Sequence, residues 1–205
     1  MSRIQSLMSR KALAGVAGLM VLAGLALLLA GFQSTAQAQT SWRTHTDRDH
    51  GYRVEFPGVP SQTQETTPQG NVMDVASLEA GSTGAFLVIA TVSAEPLDGV
   101  SALENATTGA VDSIAGRLVS KADLTIDGAR ARDLVIESGE GDITLRTRMV
   151  IQGSTFFQIM AVGPREGPPE GSERFINSFR LTPPPAGPAP AVQPAAKPDK
   201  SPVAP

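Results

Sequence analysis

The chain has no cysteine. That excludes disulfides, thiolate catalysis, cysteine-based zinc sites and a lipid anchor on an N-terminal cysteine, so an apolar core alone must hold the fold. Histidine is scarce: there are two, both within His45–His50. No other stretch can supply an imidazole base, and no G-x-S-x-G elbow, phosphate-binding glycine loop or G-x-G-x-x-G after a strand is present. No catalysis and no cofactor are expected. Basic residues are also few once Arg3, Arg10 and Lys11 of the N-terminal segment are set aside: fourteen remain against twenty acidic ones. Phosphate-backbone binding depends on clustered lysine and arginine, so nucleic acid is not an expected partner.

What is present begins with an export signature. A basic start leads into an uncharged apolar run of 21 residues, Ala12 to Phe32, and then an A-x-A site ending at Ala38. Cleavage between Ala38 and Gln39 makes residues 1–38 a signal peptide. The run exceeds the usual h-region of about 7–15 residues and approaches the roughly 20 that span a bilayer. The alternative is therefore an inner-membrane anchor at residues 12–32. Either way the remainder lies outside the cytoplasm, periplasmic if released, and only the N-terminal segment touches the membrane. From Pro183 onward nine of 23 residues are proline, a composition that favours polyproline II or disorder. Residues 39–182 are left as one α/β domain, whose size buries roughly two thirds of its unfolded surface.

Within it, Ala129 to Val162 predicts three strands joined at Gly139-Glu140-Gly141 and Gly153-Ser154, an antiparallel meander. In its middle strand Ile143, Leu145, Thr147, Met149 and Ile151 share one face, which predicts burial there. Asp142, Thr144, Arg146, Arg148 and Gln152 share the other, which reads as wet or partly covered. Tyr52–Phe56 alternates as a half-buried strand ended by Pro57-Gly58-Val59-Pro60, and the polar stretch after it reads as a connection. Val72–Leu78 and Ala85–Val92 form a hairpin. A helix is predicted from Ser101 to Val119, with Val100, Leu103, Thr107, Ala110, Val111, Ile114 and Leu118 on one face. Ser101 and Glu104 fit a capping box at its start. A short helix capped by Ser172 ends near Phe179. The fold class is α+β: one antiparallel sheet of about six or seven strands, packed by a long central helix and a short C-terminal one.

Three features occur together: Tyr52 to Pro57, reading Y-x-V-x-F-P; the central helix before the meander; and Glu173 to Phe179, reading E-R-F-I-N-S-F. In this order they resemble the PsbP-like family of α/β/α sandwich domains, across about residues 42–182. The resemblance implies a binding or assembly domain without intrinsic catalysis. It supplies no functional motif to carry over residue by residue.

Four arginines, Arg130, Arg132, Arg146 and Arg148, lie on adjacent predicted strands. As a basic patch they would engage a carboxylate-rich envelope protein or anionic lipid heads, while Asp133, Glu137, Glu140 and Asp142 favour ordinary cross-strand pairing. His45, Asp47, Asp49 and His50 are types that bind divalent ions. They follow the export signal directly and read as a solvated lead-in, so no metal site is expected. The Glu137–Asp142 turn lacks calcium-loop spacing and reads as a solvated hairpin tip. Asn105 matches a glycosylation acceptor inside a predicted helix. Phe156 and Phe157 point to opposite sides of their strand. The leading expectation is a non-catalytic exported binding or assembly domain of the cell envelope. Its alternative is a carrier of a small apolar or lipid-like ligand, in a cavity lined by Leu103, Ile114, Phe156 and Phe157.

Overall fold

The structure, a computed structural model, describes residues 41–67 and 71–182. The expected export segment with Ala38 and Gln39, and the proline-rich tail, lie outside the described residues. Strands β1 (Arg43–Asp47), β2 (Tyr52–Phe56), β3 (Ser61–Thr66), β4 (Val72–Glu79) and β5 (Ala85–Val92) precede helix α1 (Gly99–Ser113). Strands β6 (Arg117–Ile126), β7 (Ala129–Glu137), β8 (Ile143–Gln152) and β9 (Thr155–Pro164), helix α2 (Ser172–Ser178) and the short β10 (Arg180–Leu181) follow. Seven strands form one sheet in the order β3-β4-β5-β9-β8-β7-β6, and β1-β2-β10 form a second. All pairings are antiparallel. The fold is α+β, and the expected β4–β5 hairpin and β7–β8–β9 meander are both present.

Period two decides which side chains meet which layer. On one face Leu87, Ile89, Leu134, Leu145, Met149 and Met160 bury against Leu103, Ala106 and Ala110 of α1. On the other Phe86, Val88, Val150, Phe157 and Ile159 bury against Tyr52, Val54 and Phe56 of β2 and Phe175, Ile176 and Phe179. The second face is therefore not wet. The small sheet and α2 cover it, and Arg148, on that face, is only 5% exposed. Tyr52–Phe56 belongs to this covering layer and not to the main sheet, and the polar stretch after it contains edge strand β3.

Helix α1 is shorter than its apolar spacing predicts, and residues 117–126 form β6 instead. The cause is a Schellman ending. Ala115 takes a left-handed φ of 45°, Gly116 N–H donates to Val111 O at 2.8 Å, and Ala115 N–H donates to Asp112 O at 3.1 Å. Those are the paired bonds that satisfy the last helical carbonyls. Glycine usually takes the left-handed position, so alanine there hides the stop. Gly116, next along, sits where a Cβ would lie 2.7 Å from Glu137 O. At the other end the cap is Asp98, whose carboxylate accepts from Ser101 N–H at 3.3 Å; Ser101 is the third helical residue and not the cap. Helix α2 likewise starts from a left-handed Gly171, and Ser172 Oγ donates to Pro169 O instead of capping.

Candidate functional site

The four arginines do not form one surface. Arg130 and Arg132 lie on the α1 side of β7, and Arg146 and Arg148 lie on the α2 side of β8. Arg132 is 4% exposed. Its Nε donates to Asp123 Oδ1 at 2.6 Å and its Nη1 to Thr107 Oγ1 at 3.1 Å. Its Nη2 lies 2.9 Å from Glu104 Oε1. Hydrogen bonds from this guanidinium hold the carboxyls of Glu104 and Asp123 below the usual range. Arg148 forks onto Asp133 at 2.7 and 2.8 Å and donates to Ile176 O at 3.0 Å, fastening α2 to the sheet. Arg146 pairs with Glu173 at 3.0 Å. The Arg132 and Arg148 contacts pin the helices to the sheet. The expected single patch is corrected to two pairs on opposite faces, each with one buried arginine (Arg132, Arg148) and one more exposed (Arg130, Arg146).

The His45–His50 segment is not a solvated lead-in either. It forms β1 and its turn. His50 Nδ1 lies 2.9 Å from Asp47 Oδ2, and Nε2 lies 3.2 Å from Asp74 Oδ2 on β4. With both ring nitrogens held by carboxylates, His50 links the small sheet to the large one and has no free nitrogen to offer a metal or substrate. His45 lies 3.5 Å from Tyr52 Oη and packs against Tyr52 and Phe56. The surrounding open cleft of about 580 Å³ is polar, with Gln62, Gln64 and Asp49 on its walls. Burial pushes the Tyr52 phenol well above its ordinary range, with Asp47 and Asp74 adding to the effect.

Acid should weaken this corner through two groups. Burial lowers His45 below its ordinary 6.5, against an opposing pull from Asp47. The unfolded chain then binds more protons than the folded one as pH drops through 6.5, so stability falls there. Burial also opposes the Asp47 carboxylate, but hydrogen bonds from His50 and Asp49 outweigh it and lower the carboxyl below 3.8. Its stabilising contribution is present above that value and lost as pH falls through the lower folded one. Urea melts recorded from pH 7.5 down to about pH 2 should show a two-step loss, the second step falling below pH 3.8. His45→Gln should flatten the first step and Asp47→Asn the second. Unchanged profiles in both variants would refute the assignment.

The open site lies on the outer face of the small sheet. Alternation in Tyr52–Phe56 buries Tyr52, Val54 and Phe56 and turns Arg53 and Glu55 outward. In the β2–β10 pairing Arg53 stands directly opposite Arg180. Helix α2 adds Arg174, which bonds Glu55 Oε2 through Nε at 2.7 Å and lies 4.5 Å from the Trp42 ring centroid. Arg180 is braced by donating to Asn177 O and Phe179 O at 2.8 and 2.6 Å. A shallow groove of about 470 Å³ opens between them, with Thr44 and Asn177 at its sides. Three guanidinium groups there face the single Glu55 carboxylate. Neither Arg53 nor Arg180 pairs with a carboxylate among the described residues. Like charges directly opposite in a sheet are destabilising, and an anion between them would relieve the repulsion.

Sequence reasoning missed these three arginines. Arg53 was legible as the outward residue of Y-R-V-E-F, and Arg174 and Arg180 as the flanks of the terminal F-I-N-S-F. Their meeting was not. Of the expected cavity residues, Leu103, Ile114 and Phe156 pack together on the α1 side, while Phe157 lies on the other face. Leu103, Ile114, Phe156 and Phe157 therefore do not line one cavity. Among the described residues no helix is long and apolar enough to cross a membrane.

No family model and no curated protein matches the chain. A solved structure from Bacteroides thetaiotaomicron VPI-5482 is similar over 70% of this chain at 13% identity, with a TM-score of 0.39. The match spans 49% of that protein, so this chain corresponds to about half its length.

Proposed function

We propose that this protein is an exported, non-catalytic binding or assembly domain of the cell envelope, which engages an acidic protein through Arg53, Arg174 and Arg180. One observation carries the reading: Arg53 and Arg180 are held side by side on the outer face of the small sheet without a carboxylate between them. Guanidinium groups so placed suit bidentate recognition of carboxylates. The acidic balance of the rest of the domain makes the groove a local exception and disfavours nonspecific anion binding. The basic start, apolar run and A-x-A site support export. A long helix on one face of an antiparallel sheet, with a short C-terminal helix on the other, supports a PsbP-like α/β/α arrangement.

Trp42, the only tryptophan, lies under Arg174 and makes the groove observable. Titrating the full-length protein with an oligoglutamate peptide at low salt should change Trp42 fluorescence saturably, and added salt should weaken the response. Arg53→Glu with Arg180→Glu should weaken binding about tenfold or more, because each substitution replaces an attraction with a repulsion. Equal binding by the double variant, or no binding by the parent, would overturn the reading. Phosphatidylglycerol vesicles that displaced the peptide and bound more tightly would overturn it in favour of a lipid surface.

A further inference from the structure

Strand β6 is the outermost strand of the main sheet, runs ten residues, and is exposed throughout Arg117–Asp123. Leu118 and Val119 are 36% and 45% exposed. The opposite edge, β3, is shorter and wholly polar, reading SQTQET. An edge of unpaired backbone groups is a template for another strand. β6 has the usual guards in a bulge between Leu118 and Ser120 and a lysine at 121, but that lysine is followed two residues later by Asp123.

The turn after β6 reveals which backbone groups face outward. Asp127 and Gly128 both take positive φ, 48° and 86°, the two-residue primed turn whose flanking residues, Ile126 and Ala129, form the closing hydrogen-bonded pair. Alternation then aims the N–H and C=O of Leu124 and Ala122 at β7, and those of Lys121, Asp123 and Thr125 away from the sheet. A second copy adding antiparallel about a two-fold axis must therefore pair odd positions with odd. Centring the axis on Lys121 sets lysine against lysine, and centring it on Asp123 sets aspartate against aspartate. Both are disfavoured. Lys121 bonds Glu104 and Asp123 bonds Arg132 within the chain, yet the Lys121 and Asp123 side chains stay 40% and 65% exposed. Centring the axis on Ala122 sets Lys121 against Asp123 of the partner subunit twice over, on one face of the sheet, with Ser120 against Leu124 of the partner subunit on the other.

We infer that the protein forms a symmetric dimer by antiparallel pairing of β6 with β6 of a second copy, centred on Ala122. The same patch meets itself, as a closed two-fold interface requires. The two main sheets become continuous, and Leu118 and Val119 are covered by the Thr125–Ile126 end of the partner strand. The arginine groove lies on the small sheet, so this inference is independent of the proposed partner.

The absence of native cysteine makes a direct test possible. In the full-length chain Ala122→Cys puts two thiols across the axis at a non-hydrogen-bonded pair, where Cα atoms lie about 4.5 Å apart, within disulfide reach. Mild oxidation should convert it to a covalent dimer. Ser120→Cys should not dimerise, since its mates are four residues out of register, about 13 Å. Thr63→Cys on the β3 edge should not dimerise either. Lys121→Asp in the Ala122→Cys background should slow cross-linking about tenfold by setting two aspartate pairs in opposition. An unchanged thermal melt would show that the fold is intact. The inference fails if Ala122→Cys cross-links no faster than Thr63→Cys, if Ser120→Cys cross-links faster, or if Lys121→Asp has no effect.

Discussion

Replacing Phe157 with alanine should cost about 4 kcal/mol. Phe157 is fully buried on β9, between Ala90 of β5 and Val150 of β8. Its ring lies 5.6 Å from that of Tyr52 and 5.5 Å from that of Phe179, edge-on and tilted. Those neighbours belong to β2 and to the end of α2, so the ring joins the main sheet to its covering layer. Truncation loses the transfer energy of a phenyl group and leaves a void between two elements that are themselves pinned, by His50 on one side and Arg148 on the other. Little collapse can follow, which places the cost in the upper part of the usual range. Domains are stable by only about 5–15 kcal/mol, so a loss of this size removes a large share of the total. Urea unfolding would measure it. Phe157→Leu should lose less than half as much. A loss below about 1.5 kcal/mol for the alanine variant would mean that the layer is not packed as described.

The second large effect is expected at Arg148. Replacing it with methionine keeps the buried stem but removes the fork on Asp133 and the donors to Ile176 O and Asn177 Oδ1. Asp133 keeps a side-chain exposure of 40%, so water can solvate it once the guanidinium has gone. The Ile176 carbonyl, near the end of α2, has no such recourse. A buried acceptor left without a partner costs about 1–3 kcal/mol. With the lost charge-assisted bonds the total should reach about 2–3 kcal/mol. Lysine should not rescue it, since a single ammonium cannot bond two carboxylate oxygens and a carbonyl in that plane. Arg146, two residues earlier on the same face, is the internal control. Its partner Glu173 is 75% exposed, and Arg146→Met should change stability by less than about 0.5 kcal/mol. Equal losses at the two positions, read from denaturant midpoints, would contradict the difference in burial.

The contrast between Arg146 and Arg148 shows where sequence reading reaches its limit. Period two put both on one face of β8 correctly. Nothing local revealed that α2 lands on Arg148 and leaves Arg146 at the rim. Arg130 and Arg132 were ambiguous for a related reason. The turn between β7 and β8 is long enough to permit more than one register, and a one-residue slip moves every side chain of a strand to the opposite face. The observed register sets Asp133 against Arg148 and Arg132 against Met149, which separates the two arginine pairs.

Elements whose cause is short-range were legible: the alternating meander, the Gly153-Ser154 turn, the β4–β5 hairpin and the apolar face of α1. Each follows from side-chain period or turn chemistry within a few residues. The polar strands β1 and β3 were not, since they carry little apolar pattern and exist because a partner strand satisfies their backbone. The first three residues of β6 were absorbed into the helix because Leu118 continues the spacing of Ile114. Ala115 ends the helix from a conformation that its side chain does not advertise. The arginine groove depended on the longest-range event of all. Arg53 and Arg180 are separated by most of the domain and become neighbours only when the last two strand residues close on β2. The chain's composition and periods were sufficient for its class, the β4–β5 hairpin, the meander and the apolar faces that form its core. The site came from the pairing of distant strands, which loop closure and layer packing select and which no local pattern encodes.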